Sequence, residues 1–469
     1  MDASKALAHN TALQIGGKII GMAFGIATVP ILIRYFGDVG YGEYTTANTF
    51  LSLFAVVVDF GLTLTTVQMI SEPGANEPKI LGNLLSLRLI TGVIVFAIAP
   101  LTALLFPYSM EIKAAIAVGA LAYFFQTTGQ MLTGIYQKRL MMIKVAIAEL
   151  VGRALLLAGV LVVVFVRGSL IEAMIALVVS VFVQTSLLIV LANRLVRIRA
   201  QVDFSVWKEI FRRSWPIGVS IFFNLVYLRG DILLLSVLRP QSDVGLYGGA
   251  YKVIDVMTAL PVVFMGLALP LLVTAWQSRD KETFEATLQK SFNFFSILAL
   301  PLAVGAFTLA TPIMVLVGGE EFRSAGPILA VLAPALAIVF YAALFGHAVV
   351  AVQKQRVMTI GYAVTAVVSV AAYFLLVPRF GTIGAAWVTL LSESLVTLLT
   401  FLVVWRASRI RLRLTVTAKV VAAAAVMYLF LKVTNIHVIP QIIIGGLVYF
   451  VTLVALGGLS PKTIKGLFV

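Results

Sequence analysis

Long apolar stretches alternate with short polar gaps along almost the whole chain. Fourteen stretches are close to the ~20 residues that an α-helix needs to cross the hydrocarbon core of a bilayer. Their approximate ranges are 11–33, 44–70, 80–106, 112–136, 141–166, 170–193, 214–238, 248–275, 290–317, 327–351, 356–377, 382–405, 416–433 and 439–457. The pattern predicts an all-α polytopic membrane protein with 14 transmembrane helices.

The polar gap at residues 194–213 divides the first six stretches from the rest and carries a group of Arg and Lys residues. Within it, Phe204, Trp207, Ile210 and Phe211 recur at helical spacing, with charged residues on the opposite side. This pattern is typical of a short amphipathic helix on a membrane surface, with cations near anionic lipid headgroups. A solvated tether without a lipid role is the alternative.

Four short motifs recur in the same order in both halves of the chain. They are Asp-Val-Gly at 38 and 243, Gln-Lys at 137 and 353, Gly-Ser/Thr-Leu/Ile at 168 and 381, and Arg-Ile-Arg at 197 and 409. The nearly constant offset indicates a duplication. It predicts an N-terminal six-helix bundle at 1–193, a basic amphipathic linker at 194–213, a second six-helix bundle at 214–405, and a basic loop with two additional helices at 406–469.

Each predicted repeat has an even number of helices, and this determines how the two repeats are oriented in the membrane. Both copies then have the same orientation, related by an axis along the membrane normal. This geometry predicts a central cavity between the bundles and favours alternating access.

Composition supports a membrane protein and excludes several function classes. The chain is 61% hydrophobic and 12% charged, whereas soluble domains carry roughly 25% charged residues. The net charge of +15 does not indicate nucleic-acid binding, because the cations are spread over short gaps. There are no cysteines and three scattered histidines. We therefore predict no disulfide, no thiol catalysis, no metal site and no cofactor.

The distribution of Lys and Arg predicts the orientation. Of the 35 cations, 23 lie in one set of alternate gaps, which contains both termini and the linker, and 7 lie in the other set. Positive loops face the cytoplasm, so both termini should be cytoplasmic. The first residues lack the features of a cleavable signal, and we expect the first span to be retained.

Ten charged residues fall at membrane depth in this arrangement. A charge near mid-bilayer costs about 2.5–3.5 kcal/mol, so these side chains should avoid lipid. We predict that they line a polar cavity, the cations as substrate-binding groups and the acids as coupling or cavity groups; salt bridges between helices are the alternative. The cations are Lys18, Arg88, Arg153, Arg229 and Lys252, and the acids are Asp59, Glu149, Asp231, Asp255 and Glu393.

Sequence spacing indicates which of these charges can pair locally. Glu149 and Arg153 are four residues apart, and Lys252 and Asp255 are three apart, so each pair shares a helix face.

Arg229 and Asp231 are two residues apart, about 200° around a regular helix, and need other partners. At ~1.5 Å per residue, the five cations form a ladder that begins roughly 10 Å from the cytoplasmic side and passes ~22 Å at Arg229. Arginine suits phosphate because it presents several donors at once. The ladder therefore predicts a path for an anionic headgroup.

Five short motifs lie at residues 37–42, 214–216, 231–234, 245–247 and 250–251. Together they resemble the polysaccharide transporter branch of the MOP flippase superfamily. The resemblance covers nearly the whole chain. It implies a flippase, not an enzyme, that moves undecaprenyl-pyrophosphate-linked oligosaccharide, such as an O-antigen or exopolysaccharide unit, across a bacterial or archaeal cytoplasmic membrane. Membrane lipids are expected partners. An H⁺ or Na⁺ coupling ion and a polymerase or glycosyltransferase partner are left open.

Two competing functions follow from the same architecture. A cation-coupled multidrug exporter of the related multidrug and toxin extrusion branch prefers twelve spans and an acid-rich cavity, but this chain predicts fourteen spans and has Lys18 in the first. A membrane glycosyltransferase or polymerase should need a large extramembrane loop or an acidic metal motif. The chain has neither.

Overall fold

The computed structural model describes residues 3–139, 141–196, 198–434 and 436–459, with side chains from residue 20 onward except at 22, 259 and 263. All regular elements within these ranges are helical. They are α1 (Ala3–Asp59), α2 (Leu62–Ser71), α3 (Glu77–Ala103), α4 (Met110–Lys138), α5 (Met142–Phe165), α6 (Leu170–Asn193), α7 (Phe204–Leu238), α8 (Gln241–Gln277), α9 (Lys281–Thr308), α10 (Ala310–Gly318), a 3₁₀ turn (Glu320–Ala325), α11 (Gly326–Ala351), α12 (Gln355–Ser408), α13 (Thr415–Val433) and α14 (Val438–Ala455).

Two helices, α1 and α12, are each broken by a single glycine. Gly37 in α1 has φ 66° and Gly381 in α12 has φ 56°. Only glycine adopts this region without steric cost. Both positions fall between predicted spans, so a one-residue kink replaces each expected loop. The residues on either side of each glycine keep helical φ and ψ angles, so the helix continues beyond the kink.

The described chain contains 11 helical stretches long and apolar enough to cross a membrane, by length and composition. Gln355–Ser408 contains two of the spans expected from the sequence, and Ala23–Ser71 contains the second expected span and the second half of the first. Helix α4, the fourth expected span, is not among the eleven; Gln and Thr residues lower its mean hydropathy. The all-helical, multi-span architecture is confirmed for these ranges, while the count of fourteen and the repeat layout stay predictions.

The chain forms two compact units, Met1–Gly245 and Leu246–Val469. The first contains α1 to α7 and the first residues of α8. The predicted linker at 194–213 therefore lies inside the first unit, and the division into two sequence repeats stays a prediction. In the second unit, α13 and α14 pack on α9, where the Tyr449 hydroxyl donates to the Ile297 carbonyl over 2.8 Å.

The linker is held against α3 by a short series of hydrogen bonds. The Gln201 N–H donates to the Gly82 carbonyl (3.1 Å), and the Asp203 N–H donates to Asn83 Oδ1 (2.6 Å). The Trp207 indole donates to the Asn83 carbonyl over 3.1 Å. The helix expected within the linker is the start of α7, which continues unbroken through Pro216 into the apolar segment. Arg197 lies outside the described residues.

An ion pair closes the contact between the linker and α3. Lys79 Nζ lies 2.8 Å from Asp203 Oδ2, and Ser205 donates to the same carboxyl group through its hydroxyl and its N–H. These donors, the Lys79 ammonium first, hold the pKa of Asp203 well below its usual range. A carboxyl group with a depressed pKa stabilises the fold above its unfolded pKa, roughly 3.9, and that contribution disappears as the pH falls towards the folded value.

Asp203→Asn should therefore lower the unfolding temperature at pH 7, and its difference from the parent protein should shrink as the pH falls below about 4. Thermal unfolding in detergent between pH 7 and pH 3 measures this. A difference that is constant over the whole range would show that the ion pair does not hold the linker.

Candidate functional site

Arg88 on α3 is 1% exposed and lies in a closed polar network. Its Nη2 donates to Asp59 and, over 2.8 Å, to Thr63 Oγ1; its Nη1 donates to the Thr127 carbonyl over 3.3 Å. Its Nε has no hydrogen-bond partner among the described residues. The guanidinium therefore links α3 to α4 and to the junction of α1 and α2, and in this conformation it is closed to a solute.

A break in the predicted second span builds this network. Phe60 and Gly61 have φ values of 33° and 79°, which end α1 at Asp59 and start α2 at Leu62. The break turns the Asp59 carboxylate and the Thr63 hydroxyl towards the same side, where Thr63 donates to Asp59. The sequence did not predict it, because the polar residues within 44–70 are too scattered to interrupt the apolar stretch.

Helix α7 packs closely against the junction of α1 and α2 at one end, and the start of α8 packs closely against α1 near its other end; glycines lie at both places. A Cβ on Gly61 would lie 2.9 Å from the Ser214 carbonyl oxygen, and one on Gly218 would lie 2.6 Å from the Phe60 ring. Near the other end of α7, a Cβ on Gly42 would lie 1.9 Å from the Gln241 carbonyl oxygen, and one on Gly245 would lie 1.8 Å from that of Asp38. The chain can approach so closely only because no side chain is present.

Arg229 lies in the last third of α7, about midway between these two groups of glycine contacts and beside a polar cluster. Arg229 is partly exposed and interacts electrostatically with Tyr123 of α4. The Tyr123 hydroxyl donates to the carbonyl oxygen of Asn48 (2.9 Å) and lies 3.3 Å from its Oδ1. Asn48 Nδ2 in turn donates to the Tyr44 carbonyl over 2.8 Å. A guanidinium, an amide and phenol groups from α7, α1 and α4 therefore lie close together in the first unit.

Asp231, one half-turn further along α7, is buried at 1% exposure. Its Oδ1 accepts a hydrogen bond from the Ile232 N–H over 2.7 Å. Arg229 and Asp231 have further interactions in the structure. Helix α7 is regular through this segment, so the two side chains point in different directions, as their spacing predicts.

Arg153 on α5 rests on the glycine-rich face of α1. Its Nη1 donates to the Gly21 carbonyl over 3.0 Å, and its side chain lies along Gly21 and Gly25. The side chain is otherwise exposed. Arg153 therefore keeps donors available, in contrast to Arg88.

The second unit holds the remaining predicted residues. Lys252 Nζ lies 3.7 Å from Asp255 Oδ2, which confirms the pairing expected from their spacing. Glu393 on α12 is 4% exposed and interacts electrostatically with Tyr362. Nearby on the same helix, Thr389 shares hydrogen bonds with the hydroxyls of Tyr247 (2.8 Å) and Tyr373 (3.4 Å).

A family model for polysaccharide biosynthesis proteins matches residues 7–276, more than half of the chain. The chain belongs to this polysaccharide biosynthesis protein family. A curated relative, the probable low-salt glycan biosynthesis flippase Agl15 of Haloferax volcanii, is 24% identical over 403 residues, which cover 84% of this chain and 82% of Agl15.

Two solved structures share the fold of this polysaccharide biosynthesis protein. The lipid II flippase MurJ in an inward closed conformation superposes with a TM-score of 0.77 at 14% identity, covering 94% of this chain and 98% of MurJ. An inward-facing multidrug transporter of the MATE family of the MOP superfamily gives 0.67 at 15% identity, covering 85% and 98%. The family model confirms the expected resemblance to polysaccharide biosynthesis proteins, and the two solved structures show that this chain shares their fold. With its 11 long apolar helices, the chain is a multi-pass membrane protein.

Lys18 and Glu149 take no part in the contacts described for the other predicted charges of this polysaccharide biosynthesis protein. The side chain of Lys18 lies outside the described residues. Glu149 and Arg153 form no ion pair in the described part of the chain, because Arg153 extends across to Gly21 instead. Within the described side chains, no three His, Cys, Asp or Glu residues are grouped as a metal site would require.

Three residues of the polar cluster were not predicted from the sequence. Tyr44, Asn48 and Tyr123 lie in apolar segments, and tyrosines in such segments are usually expected at the lipid surface. One signal was present: Tyr44 and Asn48 are four residues apart and so share a face of α1. Their convergence with Arg229 depends on tertiary packing.

Proposed function

We propose that this protein is a flippase that carries undecaprenyl-pyrophosphate-linked oligosaccharide across the cytoplasmic membrane of a bacterium or archaeon by alternating access. Membership of the polysaccharide biosynthesis family and the fold shared with MurJ support a lipid-linked glycan as the substrate class. The names of the relatives also favour a transporter over an enzyme. Both termini are cytoplasmic in this proposal, as the distribution of Lys and Arg predicts.

The observation that carries the proposal is the setting of Arg229. It lies about midway between the two glycine contacts of α7, next to Tyr123 and Asn48. A charged residue at such a depth is costly and is expected to serve a function. A guanidinium binds a diphosphate through several donors at once, while amide and phenol groups suit sugar hydroxyls. The cluster therefore combines the two chemistries that a lipid-linked oligosaccharide presents.

The other cations divide by their contacts. Arg153 is exposed and uses one described hydrogen bond, so it is the second candidate for phosphate contact. Lys252 shares its charge with Asp255. Arg88 forms an ion pair with Asp59, and we propose that this pair stabilises the packing of the helices in this conformation. Lys18 keeps its predicted role as a cavity cation.

The acids supply candidate sites for a coupling ion. Asp231, Asp255 and Glu393 are buried or partly buried, and protonation or Na⁺ binding at one of them is the coupling step to test. Glu149 remains a candidate cavity acid. A cation-coupled multidrug exporter is the second candidate function. It is less well supported, because the fold is less similar to the multidrug transporter than to MurJ.

Arg229→Ala should reduce glycan export roughly 10- to 100-fold while the protein still accumulates. This range corresponds to the loss of one charged hydrogen-bonding partner, about 1.5–3 kcal/mol. Arg229→Lys should rescue export only partly, because lysine lacks the forked donors. The experiment expresses each variant in a deletion strain and measures cell-surface glycan, carrier-linked oligosaccharide in lipid extracts, and the amount of protein in the membrane.

Arg323→Ala is the matched control, because Arg323 is an exposed arginine paired with Glu320 in a short turn; export should be unchanged. Loss of export in proportion to lost protein would make Arg229 a structural residue. Unchanged glycan export in the deletion strain together with lost drug resistance would instead identify the multidrug exporter.

A further inference from the structure

The first turns of α7 present one face that the rest of the described chain leaves largely exposed; of its rings, only that of Phe211 stacks on a residue outside these turns, Phe60, at 6.4 Å between centroids. Phe204, Lys208, Phe211 and Trp215 recur at intervals of four, three and four residues, so they lie in one line along the helix. Arg212 borders the same line. Phe204 is 75% exposed, Phe211 60% and Trp215 49%. These five residues are called the α7 stripe.

The opposite face of the same turns is packed and cannot exchange with the stripe. Ile210 and Ser214 are buried, and the Trp207 indole donates to the Asn83 carbonyl. The close contact of Gly61 with Gly218 follows one turn later. The helix therefore cannot rotate to hide its exposed rings, and the stripe is held outward by the fold.

The stripe continues without interruption into the apolar part of α7. Phe222 is 44% exposed and lies 18 residues, or five turns, beyond Phe204 on the same side. Helix α7 has 35 residues, about 52 Å at 1.5 Å per residue, whereas the hydrocarbon core is ~30 Å thick. About 20 Å of the helix therefore extends through the headgroup region, and the residues from Phe204 to Trp215 occupy that length.

The charges of the stripe are arranged to attract anions. Arg212 pairs with Glu209 over 2.7 Å, and Glu209 is shared with Arg213. Lys208 forms no ion pair among the described residues. Arg199 lies just before α7 in the linker and adds to the positive charge. One acid, Glu209, is thus shared by two arginines, and the cations of this segment outnumber it. Interfacial rings beside an excess of cations are the pattern that binds an anionic lipid surface.

We infer that the α7 stripe binds anionic phospholipid headgroups of the leaflet at the N-terminal end of α7, with Phe204, Phe211 and Trp215 in the interface and Lys208 and Arg212 at the phosphates. A lipid layer can follow the stripe from the headgroups into the apolar segment, which a soluble protein partner cannot do. This surface is separate from the Arg229 cluster and does not depend on which glycan is carried.

The test uses the purified full-length protein in detergent, with dioleoyl phosphatidylglycerol or dioleoyl phosphatidylcholine added in increasing amounts, and follows the unfolding temperature. Phosphatidylglycerol should stabilise the parent protein at lower concentration than phosphatidylcholine. Lys208→Gln combined with Arg212→Gln should weaken the apparent affinity for phosphatidylglycerol about fivefold per cation, and added salt should have a similar effect. Phe211→Ser should weaken the affinity for both lipids.

Two exposed residues elsewhere are matched controls. Lys281, in the first turn of α9, is an exposed lysine, and Phe165, at the end of α5, is 89% exposed. Lys281→Gln and Phe165→Ser should leave the lipid preference unchanged. An equal effect of the control variants, or no preference for phosphatidylglycerol in the parent protein, would overturn the inference. Protection by undecaprenyl phosphate but not by phosphatidylglycerol would also overturn it and would make the stripe part of the substrate path.

Discussion

Gly245→Ala should destabilise the protein by about 3 kcal/mol or more and sharply reduce the amount that folds. The new Cβ would lie 1.8 Å from the Asp38 carbonyl oxygen, which belongs to the backbone and cannot move like a side chain. The start of α8 would have to move away from α1 by more than 1 Å. Overpacking alone typically costs 1–3 kcal/mol, and polar contacts nearby would be lost as well.

Those contacts lie at the start of α8 and at the end of α7 just before it. Thr46 Oγ1 donates to Gln241 Oε1 over 2.7 Å, and the hydroxyls of Tyr108 and Ser236 lie 2.8 Å apart. Gly42→Ala should have a similar effect to Gly245→Ala, because its Cβ would meet the Gln241 carbonyl at 1.9 Å. The measurement is the unfolding temperature of purified protein, with fluorescence-detected size exclusion to follow the folded fraction.

Gly230→Ala is the control on the neighbouring helix. A Cβ there meets nothing within 4 Å. The substitution should therefore leave the stability of the folded protein unchanged or raise it by about 0.5–1 kcal/mol, because alanine has the higher helix propensity. If Gly245→Ala were as stable as Gly230→Ala, the backbones of α1 and α8 would not approach each other as closely at Asp38 and Gly245 as they do in this structure.

The second large effect is expected at the buried pair of Arg88 and Asp59. Asp59→Ala should cost about 3–5 kcal/mol, because it leaves a guanidinium with 0% side-chain exposure without its counter-ion. Arg88→Ala should cost less, because the Asp59 side chain is 19% exposed and keeps its hydrogen bond from Thr63. Replacing both together, as Arg88→Met with Asp59→Leu, should recover most of the loss, as apolar replacements of buried ion pairs commonly do.

Arg139→Ala provides the comparison with an exposed ion pair. Arg139 lies 3.2 Å from Glu77 with its side chain 36% exposed, so its loss should cost less than about 1 kcal/mol. A double variant at Arg88 and Asp59 that is as unstable as the sum of the single variants would contradict the pairing. A double variant that folds but no longer exports glycan would instead return Arg88 to the group of substrate-binding cations.

The sequence predicted what depends on short-range spacing. The apolar stretches gave the helices, and the three-residue interval between Lys252 and Asp255 gave their pairing. The linker helix was placed correctly, but its continuation through Pro216 into α7 was not foreseen, because proline usually marks a helix start.

Contacts between distant segments could not be read from the sequence. Asp59 is 29 positions from Arg88, and no periodic pattern connects them. Arg153 has an acid one turn away on its own helix, yet it donates to Gly21, because a glycine leaves its carbonyl open to a neighbouring helix. The cluster of Tyr44, Asn48 and Tyr123 beside Arg229 likewise required three helices to be packed first.

The packing of α7 against α2 and α3 also bears on how the chain is assembled during synthesis. The contact surface at Gly61, Gly82 and Asn83 is complete only when the linker and α7 have left the ribosome. Until then the α3 surface at Gly82 and Asn83 is without its partner segment, and Asn83 Oδ1 is without the Asp203 N–H that it accepts in the finished fold. The packing of the first six helices is therefore expected to be completed only after α7 has been synthesised, late in the translation of residues 1–245.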